Sequence, residues 1–153
     1  MNREAYFKDV IFALEKALYY ERGRGAYFRS TMVGVDFLEG KDIAGNTLEE
    51  VVDSCIKVLI DDGIIKDATY HGDESGSLFT FELTGCIHFP IDKKLKQEGV
   101  PPFVNPPINM ILSKVRERTG LAVEIADINF NETDDKYVVN VVVFEPKLSS
   151  KES

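Results

Sequence analysis

Apolar residues recur at helical spacing near the start of the chain. Residues three and four apart share one face of a helix, so this stripe predicts an amphipathic helix over residues 3–20. Its members are Phe7, Val10, Ile11, Leu14 and Leu18. The glycine-containing run 21–25 breaks the pattern. A second helix is predicted over residues 26–40, and it carries Tyr27, Phe28, Met32, Val35 and Phe37.

A capping box marks the start of a third predicted helix. Thr47 can accept a hydrogen bond from the Glu50 amide while the Glu50 carboxylate reaches back to the cap. Gly63 supplies the left-handed residue that ends the helix. Its apolar stripe consists of Leu48, Val51, Val52, Cys55 and Leu59.

Two pairs of strands follow the pattern of antiparallel hairpins. Residues 64–71 and 77–89 flank a turn at 72–76, and residues 121–130 and 136–145 form the second pair. Between the hairpins, Asn105 as cap and Pro106 at the first helical position predict a helix that ends at Gly120.

The resulting order, α-α-α-β-β-α-β-β, predicts an α+β fold. Its four-stranded antiparallel sheet comes from two hairpins and packs with about four helices. We expect residues 1–146 to form a single ligand-binding-like domain and 147–153 to form a flexible polar tail. Residues 138–144 are apolar except Asn140, which is typical of a strand covered on both faces, either by helices or by a partner subunit.

The charge and composition of the chain disfavour some classes of function. The 153 residues carry a net charge of -8, which disfavours nucleic-acid binding because that affinity depends on clustered Lys and Arg. No secretory leader and no membrane span are apparent, so we expect a cytoplasmic protein. Cys55 lies on a predicted helix and Cys86 at a strand end, so both are expected to be reduced thiols.

The segment 84–89 places one of two cysteines beside one of two histidines, shortly before the proline-rich run 100–107. On an extended strand Cys86 and His88 would point to the same face, close enough to bind one metal ion. Three interpretations stay open: a metal site, a Cys–His nucleophile pair, or a buried thiol beside a hydrogen-bonded imidazole. Further metal ligands would come from Glu82, Asp92 or His71.

Two other features are compatible with a ligand. The run 22–29 contains Arg24 and could receive an anionic head group, or it is simply a turn between helices. Aromatic and apolar side chains could line a cavity or fill the core. They are Phe28, Met32, Phe37, Phe79, Phe81 and Phe103.

The element order and the phrases at 47–52, 59–63 and 84–88 resemble the vinyl-reductase-type hydrocarbon-binding domain, which belongs to a wider group with Golgi transport-particle subunits. Such domains often carry cysteines near the helix after the second strand and in the last hairpin. Here residues 103–106 and 128–137 contain none. The resemblance implies an apolar pocket between sheet and helices, linked to sensing or to assembly.

We therefore predict a non-enzymatic protein that binds a small apolar molecule near residues 86–107, in a sensing or regulatory role, with no cofactor identified. The predicted ligand-binding residues are Cys86, His88, Phe103, Asn105, Tyr27, Phe28, Met32 and Arg24. The alternatives are a scaffold or assembly subunit, in which case a dimer or other homo-oligomer is expected, and an enzyme that depends on Cys86 and His88.

Overall fold

The computed structural model describes residues 2–21 and 30–144. Its helices are α1 (Arg3–Tyr20), α2 (Leu48–Asp61), α3 (Phe89–Gln97) and α4 (Pro106–Thr119), with a short 3₁₀ helix at Val35–Leu38. Its strands are β1 (Asp67–Gly72), β2 (Leu78–Thr84), β3 (Ala122–Asn131) and β4 (Lys136–Phe144).

The two hairpins join into one four-stranded antiparallel sheet with the order β1-β2-β4-β3. The join is the β2–β4 pair, which runs from Leu78 opposite Val142 to Thr84 opposite Lys136. The predicted α+β class, with one sheet made from two hairpins and about four helices, is confirmed.

The helix caps predicted at Thr47 and Asn105 are both confirmed by their hydrogen bonds. Thr47 Oγ1 accepts from the Glu50 amide at 3.2 Å, and Glu50 Oε1 accepts from the Thr47 amide at 3.3 Å. Asn105 Oδ1 accepts from the Ile108 amide at 3.0 Å, at the start of α4. These side chains satisfy amide groups that the first helical turn leaves without a backbone partner.

The main core lies between α2, α4 and one face of the sheet. Strand β4 contributes every second residue to it: Tyr137, Val139, Val141 and Val143 are buried. The residues between them point to the opposite face of the sheet and are half-buried there, Val138 opposite Glu82 and Val142 opposite Leu78. The chain itself therefore provides one fully buried face, and coverage of the other by a partner stays a prediction.

The structure differs from the sequence prediction at the end of the first hairpin. Strand β2 ends at Thr84, not at residue 89, because Gly85 takes a left-handed conformation with φ of 67°. A Cβ at Gly85 would lie 2.5 Å from the Lys66 side chain, so the sharp turn depends on glycine here. Helix α3 then starts at Phe89 with Pro90 in its first turn.

The second predicted helix lies only partly within the described residues. Its part at 26–29, with Tyr27 and Phe28, falls outside them, and so do Arg24 in the preceding run and the predicted tail 147–153. From residue 31 the chain forms a turn and then the 3₁₀ helix Val35–Leu38, entered through Gly34 at φ of 87°. Within the described ranges, no helix is long and apolar enough to cross a membrane.

Candidate functional site

An apolar cavity of about 420 Å³ lies beside α1. We call it the α1 cavity. All but two of its lining residues are apolar or glycine, and the two exceptions are ionisable. The lining comprises Ile11, Leu14, Glu15, Leu18, Val33, Gly34, Phe37, Ile64, His88, Pro106 and Met110.

Helix periodicity builds two walls of the α1 cavity. Ile11, Leu14 and Leu18 are spaced three and four residues apart, so α1 presents them on one face. Pro106 and Met110, at the start of α4, are four apart and form the opposite wall in the same way. The walls are therefore regular helix faces, which hold their side chains in fixed positions.

Gly34 allows the 33–37 segment to approach α4 closely. A Cβ built on it would lie 2.9 Å from the Pro106 Cβ and 3.0 Å from the Met110 methyl carbon. Its positive φ is also one that residues with a Cβ rarely adopt. Glycine is thus required where this segment closes the cavity against α4.

Glu15 forms one polar point of the cavity lining. It is 7% exposed and is the one residue of α1 that is fully buried. Burial, together with the nearby charge of Asp92, raises the pKa of the Glu15 carboxyl to about 8. At neutral pH Glu15 is therefore mostly protonated, and its carboxyl group can both donate and accept a hydrogen bond.

Asp92 and Tyr137 lie behind Glu15. The Tyr137 hydroxyl donates to Asp92 Oδ2, and both residues are buried. Burial raises the pKa of Asp92 to about 7, although the bond from Tyr137 acts in the opposite direction. Asp92 Oδ1 has no hydrogen-bond partner among the described residues. Two carboxyl groups with raised pKa values thus lie close to one end of an apolar cavity, an arrangement more frequent at functional sites than elsewhere.

His88 is the second polar point of the lining. Burial lowers the pKa of its imidazole to about 4, so the ring is neutral at physiological pH. Its Nδ1 atom is buried and has no hydrogen-bond partner in the described part of the chain. A ligand that fills the cavity could supply that partner.

Cys86 precedes His88 by two residues but does not line the α1 cavity. The expected extended geometry of Cys86 and His88 is wrong, because both follow the turn at Gly85 and His88 has helical backbone angles. Burial raises the pKa of the Cys86 thiol to about 12. Both cysteines are free. Among residues 2–21 and 30–144, no group of three or more His, Cys, Asp or Glu side chains is placed to hold a metal ion.

The other predicted ligand-binding residues are dispersed. Phe103 packs on Tyr19 with ring centroids 5.4 Å apart, beside a separate hollow of about 320 Å³. Asn105 is committed to capping α4. Met32 is 69% exposed and does not line the α1 cavity. Of the predicted set, His88 is the member that the described structure places in the cavity lining.

Sequence reasoning missed Glu15, although a signal was present. Glu15 follows Ile11 by four residues and precedes Leu18 by three, so a carboxyl group lies on the apolar stripe of α1. Asp92 and Tyr137 are 45 positions apart, and only the tertiary fold brings them together.

No known family model matches this chain, and no curated protein matches it. A solved structure similar to it is a trafficking protein particle complex subunit 3 from Naegleria fowleri, covalently bound to palmitic acid. The two sequences are 15% identical, the TM-score is 0.46, and the match covers 87% of this chain and 81% of that one. The vinyl-reductase-type part of the resemblance stays a prediction.

Proposed function

We propose that this protein binds a small, largely apolar molecule in the α1 cavity without transforming it chemically. The observation that supports the proposal is the cavity itself: about 420 Å³, with a lining that, among the described residues, is apolar except at Glu15 and His88. Ligand sites in proteins are typically apolar clefts of roughly 300–1,000 Å³ with a few polar groups that orient the ligand. The α1 cavity has this composition and size.

Transfer of an alkyl chain into such a cavity is favourable. Each buried methylene gains about 0.8 kcal/mol, so an octyl chain gains roughly 6 kcal/mol before the entropic cost of binding. A gain of roughly 6 kcal/mol corresponds to a Kd of about 40 μM at best, and the entropic cost of binding moves it toward the millimolar range. An octyl compound is therefore a suitable probe.

The ionisation states favour binding over thiol catalysis. A Cys–His nucleophile pair requires the imidazole to take the proton of the thiol. Here the thiol of Cys86 has a pKa of about 12 and the imidazole of His88 a pKa of about 4. Transfer from so weak an acid to so weak a base is strongly unfavourable. Cys86 is accordingly interpreted as a buried structural thiol.

A sensing role would follow from the position of α1. This helix forms one wall of the cavity, and the α-helix it contacts most is α3. A bound molecule would touch α1 directly and would therefore stabilise its attachment to the rest of the protein. Ligand occupancy would then be reported by the order of α1.

The experiment is calorimetric titration with 1-octanol, a neutral probe. Leu18→Trp fills the cavity from the α1 wall, and we expect it to weaken binding at least tenfold. Leu78→Trp is the matched control, since Leu78 is 39% exposed at the start of β2 and away from the cavity. Equal affinity of the two variants and the wild type would rule out the α1 cavity as the site.

A second function, scaffold or assembly subunit, is favoured by the exposed side chains of α1. Tyr6, Phe7, Leu14 and Tyr20 are each at least half exposed. Large apolar side chains grouped on one helix are typical of protein contacts. Light scattering on the purified protein tests this: a homodimer that Phe7→Ser converts to a monomer would support assembly, and a wild-type monomer would rule out self-assembly.

A further inference from the structure

The cavity lining contains a largely buried carboxyl group. The Glu15 side chain is 7% exposed and lines the cavity. Asp92, behind it, is 2% exposed and leaves Oδ1 without a donor. A buried polar atom without a partner costs on the order of 1–3 kcal/mol, so Asp92 Oδ1 would be stabilised by a donor at this point. The Glu15 carboxyl group lines the cavity on the same side of the molecule as Asp92, whose charge raises the pKa of Glu15.

The described chain brings no cation to this end of the cavity. No lysine or arginine belongs to the lining. The nearest lysines on α1 and α3 are engaged elsewhere: Lys16 pairs with Glu98, and Lys94 with Asp9 at 3.8 Å. An occupant with a positive charge would therefore meet no cation among the described lining residues, and the ionised form of either carboxyl group would attract it.

We infer that the α1 cavity is a site for an aliphatic primary amine, with the ammonium group at Glu15 and the alkyl chain along the apolar walls. This inference deepens the proposed function and rests on it. An ammonium group has three N–H donors and no acceptor, which matches a site where a buried carboxyl oxygen lacks a donor. The chain would contact Ile11, Leu14, Leu18 and Met110.

The pH dependence of binding separates an amine from a neutral ligand. Glu15 has a pKa of about 8 in the free protein, and an ammonium group binds its ionised form. Binding therefore releases a proton, and affinity should rise with pH up to about 8. A neutral alcohol needs no ionised carboxyl group, so its affinity should not rise over that range.

The groups around Glu15 do not reverse this direction. They are Asp92 on α3, Tyr137 on β4, and Cys86 and His88 on the loop before α3; the 33–37 segment and α4 add no titratable group to the lining. Asp92, with a pKa of about 7, adds to the same trend. His88 and Cys86, at about 4 and about 12, keep one form between pH 6 and 8.

The test is calorimetric titration of the full chain with octylamine, 1-octanol and octanoate at pH 6, 7 and 8. We expect octylamine to bind at least tenfold more tightly at pH 8 than at pH 6, and to exceed 1-octanol at pH 8. Octanoate should bind most weakly. Glu15→Gln should remove most of the preference for the amine and most of its pH dependence, leaving the smaller contribution of Asp92, while 1-octanol still binds. Glu4→Gln, on the exposed side of α1, should change neither.

The results of this titration distinguish failure of the amine inference from failure of the proposed function. Binding of 1-octanol with no amine preference and no pH dependence would overturn the inference and leave the proposed function standing. If octanoate binds most tightly of the three probes, the inference is likewise overturned and the proposed function stands. Failure of all three probes to bind would overturn both. If Glu15→Gln does not fold, the pH dependence of wild-type octylamine binding decides alone.

Discussion

Helices α1 and α2 make opposite use of their apolar residues. Helix α2 buries six residues, among them Val51, Val52 and Leu59 at 0% exposure, against α4 and the sheet. Helix α1 is longer, yet Glu15 is the one residue that it buries fully, and Phe7 and Leu14 are about 60% exposed. Helix α2 thus contributes side chains to the main core together with α4 and the sheet, whereas α1 contributes none to it among the described residues.

From this contrast we assign α2 to the stability of the fold and α1 to the proposed binding function. The apolar face of α2 is explained by the folding of the chain itself, because burial of that face is a main source of stability. The apolar face of α1 packs in part against a small cluster on and after α3, through Ile11 and Phe12, and elsewhere borders the cavity and solvent. It also places a carboxyl group where an apolar residue would pack better. An amphipathic helix that gains little from its own chain is explained best by something that binds there.

Truncation of matched leucines should show the contrast most strongly. Leu59→Ala, in α2, is expected to lower the free energy of unfolding by about 3–4 kcal/mol, because it removes fully buried methyl groups and leaves a cavity. Leu14→Ala, in α1, should lower it by less than about 1 kcal/mol, since Leu14 is 64% exposed. Urea unfolding measures both. Equal losses would remove the distinction between the two helices.

The pH dependence of stability should report the buried carboxyl group of α1. The pKa of Glu15 rises from 4.5 to about 8 on folding, so the unfolded state loses its proton at lower pH than the folded state. Between pH 5 and 8 stability therefore falls with rising pH, by about 3 kcal/mol from this group alone. Asp92, raised to about 7, acts in the same direction.

Urea unfolding at pH 5 and pH 8 checks this expectation. Glu15→Gln should remove most of the difference in the free energy of unfolding between pH 5 and pH 8, because glutamine does not ionise. Glu4→Gln, on the same helix but exposed, should leave the difference as it is in the wild type. A wild type that is more stable at pH 8 than at pH 5 would show that Glu15 is ionised in the free protein.

The smallest expected effect concerns the bond behind the cavity. Tyr137→Phe removes the donor to Asp92 Oδ2 and should cost about 1–2 kcal/mol at pH 8. The cost should be smaller at pH 5, where Asp92 is protonated. Tyr70→Phe is the control, because the Tyr70 hydroxyl donates at 2.8 Å to the exposed Asp53. Thermal unfolding of both variants at the two pH values gives the comparison.

The sequence predicted those parts of the fold that depend on neighbouring residues. The capping box of α2 and the start of α4 at Asn105 and Pro106 are confirmed because they involve contacts within four positions. The hairpins are confirmed because alternation and turns are local as well. The end of β2 was placed too late because the apolar residues Ile87 and Phe89 continue its pattern, whereas the turn at Gly85 interrupts it.

The site was less predictable because it is assembled from distant segments. The prediction directed attention to residues 86–107, and His88 and Pro106 from that range do line the cavity. Another wall comes from α1, and nothing local in the sequence indicates that Leu14 and Met110 line the same cavity. The carboxyl group of Glu15 within an apolar stripe was the available clue, and it gained meaning only from its burial.

Hydrogen–deuterium exchange with and without saturating 1-octanol tests the central claim most directly, since α1 and α2 are compared in one experiment. The account predicts at least fivefold slower exchange of the α1 amides around Leu14 and Leu18 on binding, and little change in the core helix α2. Unchanged exchange in α1 at saturating 1-octanol, or slower exchange confined to another surface, would contradict it.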